Sequence, residues 1–150
     1  MNKLSSIRSF LETKEIAIAG VSRNPKKFGR MVYDHLKKRE FKLYGMNPNT
    51  DSIDGDPCFH AVADLPANVN RLLVVTPKSQ TFDVVQAAIN RGIKSIWIQQ
   101  STETPEAIEL ARKNDVDLIY KECIMKFAEP VDSIHKFHRF MNKLFGGYPK

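Results

Sequence analysis

Two cysteines in 150 residues, Cys58 and Cys123, are far too few for a disulfide scaffold, and they form no C-x-x-C pair of the kind that holds zinc or exchanges thiols. Both are read as reduced thiols. The chain has no uninterrupted apolar run of the roughly 18 residues that a membrane helix needs. Glu12 follows so soon after Phe10 and Leu11 that no signal-peptide core can be drawn at the start. A soluble, cytoplasmic protein with no membrane partner is expected. Repeats, linkers and low-complexity segments are missing too. With 42% hydrophobic and 27% charged residues, this points to one globular domain over residues 1–150.

What is present begins with charge. Lysine and arginine number 23 against 17 acids, a formal charge of +6 that favours an anionic partner such as a phosphorylated metabolite or nucleic acid. Charge alone does not choose between them. Short apolar runs then alternate with helical patterns. EIAIAG (15–20), KLYGMN (42–47), RLLVVT (71–76), KSIWIQ (94–99) and DLIY (117–120) have the look of strands buried on both faces, as parallel strands are. Between them Phe28, Val32 and Leu36 keep a four-residue spacing. Phe82, Val85, Ala88 and Ile89 keep a helical one, as do Ala107, Leu110 and Ala111. Gly92 fits the stop of a 79–91 helix, and Thr104 before Pro105 fits an N-cap followed by proline at the first helical position. A leading helix from Lys3 to Leu11 is expected to complete the layers. So is a closing one over about 131–145, apolar at Ile134, Phe137, Met141 and Leu144. The fold class is α/β: a three-layer αβα sandwich around a doubly wound parallel sheet of about five strands. Trp97, flanked by Ile96 and Ile98, is expected to pack against a helix.

In such sheets ligands sit beyond the carboxyl ends of the strands, at the point where strand order reverses. The residues after each strand therefore carry the functional signal. After strand one, Gly20-Val21-Ser22-Arg23-Asn24-Pro25-Lys26-Lys27-Phe28-Gly29 keeps the first glycine of a G-x-G-x-x-G turn but has serine at the second, and the next glycine arrives late. A helix beginning near Phe28 aims free backbone N–H groups, those of Phe28 and Gly29 among them, and the positive end of its dipole at this loop, which suits a phosphate. Ser22 and Asn24 add donors, and Arg23, Lys26 and Lys27 add charge. The alternative is an ordinary βα turn at Asn24-Pro25 with solvated lysines. After strand two, Asn47-Pro48-Asn49 offers no carboxylate for the ribose hydroxyls of a nicotinamide dinucleotide. A ribose bearing a phosphate is not repelled there. Thr76-Pro77 follows strand three, Gln99-Gln100 strand four, and Cys123-Ile124-Met125 strand five. The mouth is thus expected to be basic at loop one and otherwise neutral. It has no Walker A sequence, no Ser/His/Asp set and no carboxylate pair.

The ordered set AGVSRNPKKFGRMVYDHL, YGMNPN, ADLP, VVTP, IWIQ and ECIM resembles the stand-alone CoA-binding proteins, which are similar to the N-terminal domain of the succinyl-CoA synthetase α subunit, over roughly residues 10 to 128. The resemblance implies a Rossmann-like fold binding coenzyme A. It puts Gly20, Ser22, Arg23, Asn24 and Lys27 around the phosphates and Asn47, Pro48 and Asn49 near the adenosine, with Thr76, Pro77 and Gln99 along the cofactor. The synthetase subunit carries a second domain with a phosphorylated histidine, for which these residues leave no room, so ligase activity is not expected.

A non-catalytic module binding CoA or acyl-CoA is the leading reading. A nucleotide-dependent oxidoreductase or a nucleotide-sensing regulator is the alternative, against which the missing strand-two acid and the altered glycine spacing count. Nucleic acid is disfavoured because only scattered lysines, without interleaved aromatics, are present. Self-association and a protein partner both stay open. Cys123 either faces the CoA thiol or is a small packed hydrophobe. His135 and His138 lack a third metal ligand and belong to a solvated basic helix; no metal site and no catalytic residue is expected.

Overall fold

Along Glu15–Ala19 (β1), Ile16 and Ile18 enter one core layer while Ala17 and Ala19 enter another, and all four are buried. A strand with two apolar faces needs cover on both. In the computed structural model, which describes residues 2–128, helices supply that cover. The other elements, in chain order, are α1 (Leu4–Glu12), α2 (Phe28–Lys37), β2 (Lys42–Met46), β3 (Ser52–Ile53), β4 (Asp56–Phe59), β5 (Arg71–Val74), α3 (Lys78–Asn90), β6 (Ser95–Gln99), α4 (Pro105–Lys113) and β7 (Asp117–Glu122). Single 3₁₀ turns stand at Val62–Asp64 and Ile124–Lys126. The α/β, doubly wound architecture expected from the sequence is the one found.

The sheet has seven strands in the order β3-β4-β2-β1-β5-β6-β7, parallel throughout except for β3. Ile7 and Phe10 of α1 and Val32 and Leu36 of α2 cover one face, over Ile16, Ile18, Leu73 and Trp97. Val85 and Ala88 of α3 and Ala107 and Ala111 of α4 cover the other, over Leu72, Val74, Ile96 and Ile98. Trp97 packs edge-on against Phe10 of α1 at 5.4 Å and against Phe127 at 5.7 Å, and its Nε1 donates to Glu122 O at 3.0 Å. Thr104 caps α4 by accepting from Ala107 N at 3.2 Å, and Gly92 takes φ 88° just past α3.

The expectation of about five strands is corrected by the β3–β4 hairpin. β3 is two residues long, too short to display an alternation. The legible signal was the Asp54-Gly55 pair, whose φ values of 48° and 83° are both positive, as a type I′ hairpin turn requires. β7 also runs two residues past Tyr120, to Glu122. The closing helix expected at 131–145, with His135 and His138, lies outside the described residues.

The hairpin is tied to α2 through Asp56, whose Oδ2 accepts from Tyr33 Oη at 2.8 Å and pairs with Lys37 Nζ. Lys37, and after it Tyr33, hold the Asp56 carboxyl below its ordinary range. A carboxyl lowered in the folded state adds stability above its unfolded value and loses it as pH falls through the folded one. Asp56→Asn should therefore be less stable than the parent near neutral pH, and that gap should close in acid. Urea unfolding at about pH 7 and about pH 3 checks this; an equal gap at both would show that Asp56 contributes nothing through its charge.

Candidate functional site at the strand-order reversal

The chain leaves β1 toward β2 on one side and later returns to β5 on the other, so the connections beyond their carboxyl ends diverge and open a crevice. Gly20 closes β1 at φ 102°. A Cβ there would stand 2.8 Å from the Val75 carbonyl and 2.9 Å from Thr76 N, so the turn lies against the end of β5. Gly29 sits in the first turn of α2, where a Cβ would fall 2.0 Å from Gly20 O. The late glycine thus performs the helix-to-strand contact that the third glycine of the ordinary motif performs. The intervening residues become an enlarged loop.

That loop braces itself. Ser22 Oγ accepts from Asn24 N and Asn24 Oδ1 from Lys26 N, both at 3.0 Å, while Asn24 O accepts from Lys27 N at 3.1 Å. Lys27 leads into α2 without a side-chain cap, so no side chain among the described residues caps the helix's first N–H groups. Arg23, Lys26 and Lys27 are exposed, and their side chains have no partner among the described residues. Beneath them lies Arg30, a residue the sequence reading did not single out. Its side chain is only 6% exposed; Nε donates to Asp34 Oδ1 and Nη1 to Arg23 O, both at 3.0 Å, and Nη2 pairs with Asp54 Oδ2. The hydrogen bond to Asp34 raises the guanidinium above its ordinary value. Arg30 thereby fastens the backbone of loop one to the β3–β4 turn. The available signal was the i,i+4 spacing of Arg30 and Asp34.

A cavity of about 390 Å³ opens at the crevice. Ala19, Met46, Val62, Val84 and Ala87 give it apolar walls, and Ser22, Asn49, His60, Gln80 and Asp83 give it polar ones. Of the residues singled out from sequence, Gly20, Ser22, Asn47, Pro48, Asn49 and Thr76 line it. Asn47 has a structural task as well: Nδ2 donates to Val21 O and Oδ1 accepts from Asn49 N, both at 2.8 Å, holding the end of β2 to loop one. Thr76 Oγ1 is buried without a partner among the described residues. Arg23, Asn24, Lys27, Phe28, Gly29 and Pro77 are not among the lining residues; the first five follow the lining residues Gly20 and Ser22 in loop one and the first turn of α2, and Pro77 follows Thr76 at the start of α3. Gln99 does not line the cavity. It is buried, and its Oε1 accepts from Ile124 N at 3.2 Å. Cys123, a partly buried free thiol, follows β7, three strands from β1 and so roughly 14 Å across the sheet at about 4.8 Å per strand.

Three polar lining residues escaped the sequence reading: His60, Gln80 and Asp83. The expectation of an otherwise neutral mouth is corrected accordingly, since Asp83 brings a carboxylate and His60 a ring whose Nε2 lies 2.6 Å from Asp51 Oδ1. Among the described residues no group of acids, histidines and cysteines is placed to hold a metal ion. No helix among them is long and apolar enough to cross a membrane.

Comparison with known proteins finds relatives of this fold. The chain is 25% identical over 126 residues to the alpha subunit of ADP-forming acetate–CoA ligase II from Pyrococcus furiosus, a match covering 77% of this chain and 28% of that subunit. Among solved structures, a conserved hypothetical protein from Pyrococcus furiosus superposes with a TM-score of 0.72 at 32% identity, covering 74% of this chain and 96% of its own. A hypothetical protein from Pyrococcus horikoshii gives 0.76 at 25% identity, covering 84% and 93%. The CoA binding domain model matches residues 14–129, a span that takes in β1, the glycine-braced loop and every wall of the cavity, and the chain belongs to that family.

Proposed function

We propose that this chain binds coenzyme A or an acyl-CoA as a non-catalytic module, with the nucleotide end in the cavity and the pyrophosphate at loop one. The observation that carries the reading is the pairing of an uncapped helix start and three cations without a partner among the described residues with a strand-two end free of carboxylate. CoA has a pyrophosphate and a separate ribose 3′-phosphate, so it gains from the first feature and loses nothing at the second. Gly20, Ser22, Asn24 and the N–H groups of Phe28 and Gly29 shape the phosphate cradle, and Arg23 and Lys27 neutralise it. Pro48 and Asn49 stand near the adenosine, and Thr76 and Pro77 lie along the arm, where the orphaned Thr76 hydroxyl gains a partner. Gln99 and Cys123 lie toward the thiol end. A nicotinamide-dependent oxidoreductase fits less well, because the acid that receives the ribose hydroxyls is absent. General acid–base catalysis of thioester chemistry needs an acid or base beside the acyl group, and the ends of β6 and β7 offer an amide already engaged with Ile124 N, a thiol, and the Glu122 carboxyl, raised by burial and hydrogen-bonded to Asn2.

Because the recognisable contacts belong to the nucleotide end, desulfo-CoA should bind about as tightly as CoA. Titration calorimetry with CoA, desulfo-CoA, NAD(H) and duplex DNA checks this. Heat with neither CoA ligand would end the CoA reading, and heat with NAD(H) alone would favour the oxidoreductase.

A further inference from the structure

We infer that His60, held by Asp51, reads the phosphate on the ribose of the bound nucleotide and makes the site selective for CoA over 3′-dephospho-CoA. The inference rests on the CoA reading and names the group at this site that chooses the ligand class. In doubly wound sheets the ribose hydroxyls lie at the end of strand two. Here that end has amide donors but no cation. Both polar atoms of the Asn47 amide make hydrogen bonds, Pro48 has no N–H, the backbone N–H of Asn49 is taken by Asn47 Oδ1, and the Asn49 side chain that lines the cavity is neutral.

The sheet register supplies what β2 does not. β4 runs parallel to β2 with Met46 opposite Phe59, and Asn47 N donates to Phe59 O at 2.9 Å. His60, the next residue, therefore stands beside the strand-two end and lines the cavity. Asp51 lies 2.6 Å from Nε2, which leaves Nδ1 as the ring's other nitrogen and fixes how the ring is turned. The ring's two nitrogens face different partners: Nε2 is hydrogen-bonded to Asp51, and an N–H on Nδ1 is the one a phosphate would take. The remaining charges bias the phosphate the same way. Asp83 on α3 lines the cavity and repels it, while the nearby Asp64 carboxylate is occupied with Ala61 N. A ribose phosphate thus finds repulsion at α3 and a ring donor at His60.

The test titrates wild type and His60→Gln, at low salt, with CoA and with 3′-dephospho-CoA. Glutamine keeps hydrogen-bonding capacity and removes the imidazole. Wild type should prefer CoA by about tenfold or more, the size of a charge-assisted hydrogen bond. His60→Gln should weaken CoA by about tenfold, leave dephospho-CoA unchanged and so abolish the preference. Asp51→Asn should lower the ratio in the same direction by less. The side chains of His60 and Asp51 are 52% and 92% exposed, so melting temperatures should hardly move. A merely structural role would weaken both ligands alike. Equal loss for the two ligands, or no loss for either, overturns the assignment, as does a wild type that binds both without preference. Should His60→Gln fail to fold, the Asp51→Asn ratio decides. Wild type binding neither ligand defeats the CoA reading itself, and the inference falls with it.

Discussion

Gly29→Ala should cost about 3 kcal/mol or more, or prevent folding, although it adds one methyl group to a helix, where alanine is otherwise the preferred residue. The added carbon would lie 2.0 Å from Gly20 O, well inside any van der Waals contact. A flexible side chain would turn aside from such a clash; a backbone carbonyl cannot. Gly20 is itself confined, since its own Cβ position is 2.8 Å from the Val75 carbonyl, so the strain has nowhere to pass. Separating α2 from β1 would also open the apolar layer in which Val32 and Leu36 meet Ile16 and Ile18. Gly45→Ala is the matched control: its nearest obstacle is Tyr33 Cε2 at 3.3 Å, a side-chain atom able to give by a few tenths of an ångström. Urea denaturation of the two variants should separate them clearly. Equal, small losses would mean that the helix-to-strand contact at Gly29 is softer than the geometry requires.

Arg23→Ala and Lys27→Ala should each lower CoA affinity about tenfold to a hundredfold, the equivalent of roughly 1.5 to 3 kcal/mol for a lost charge-assisted hydrogen bond. Stability should stay within about 0.5 kcal/mol of wild type, because both side chains are exposed and without a partner among the described residues. The loop backbone should keep its course. Arg30 holds it through the carbonyl of Arg23, which the substitution leaves in place, and the Ser22 and Asn24 bonds involve neither changed side chain. Binding should also lose part of its salt dependence, since screening acts on the charges removed. Gly20→Val would by contrast harm folding and binding together, as φ 102° and the approach of Val75 exclude a branched side chain. If both charge-removing variants bind CoA with wild-type affinity at low salt, loop one is an ordinary βα turn with solvated cations, and the phosphates lie elsewhere.

The sequence by itself determined the layered α/β architecture. Ile16 and Ile18 against Ala17 and Ala19 declare a strand with two buried faces, and Thr104-Pro105 and Gly92 mark helix ends through local backbone chemistry that needs no distant partner. It also determined the character of loop one, because the residue types in a connection decide its charge and its reach. The β3–β4 hairpin escaped because two residues cannot establish a period, although Asp54-Gly55 named the turn. Only the tertiary structure decided the company each residue keeps. Gly29 looked like a late glycine until α2 was laid against the Gly20 carbonyl. Gln99 looked free to meet a ligand until Ile124 was folded under it. His60, Asp83 and Asn49 come from three connections far apart in the chain and meet only through the strand order and the Met46–Phe59 register. Periodicity and turn chemistry act over a few residues, whereas a cavity is assembled by pairings between segments that no local pattern links.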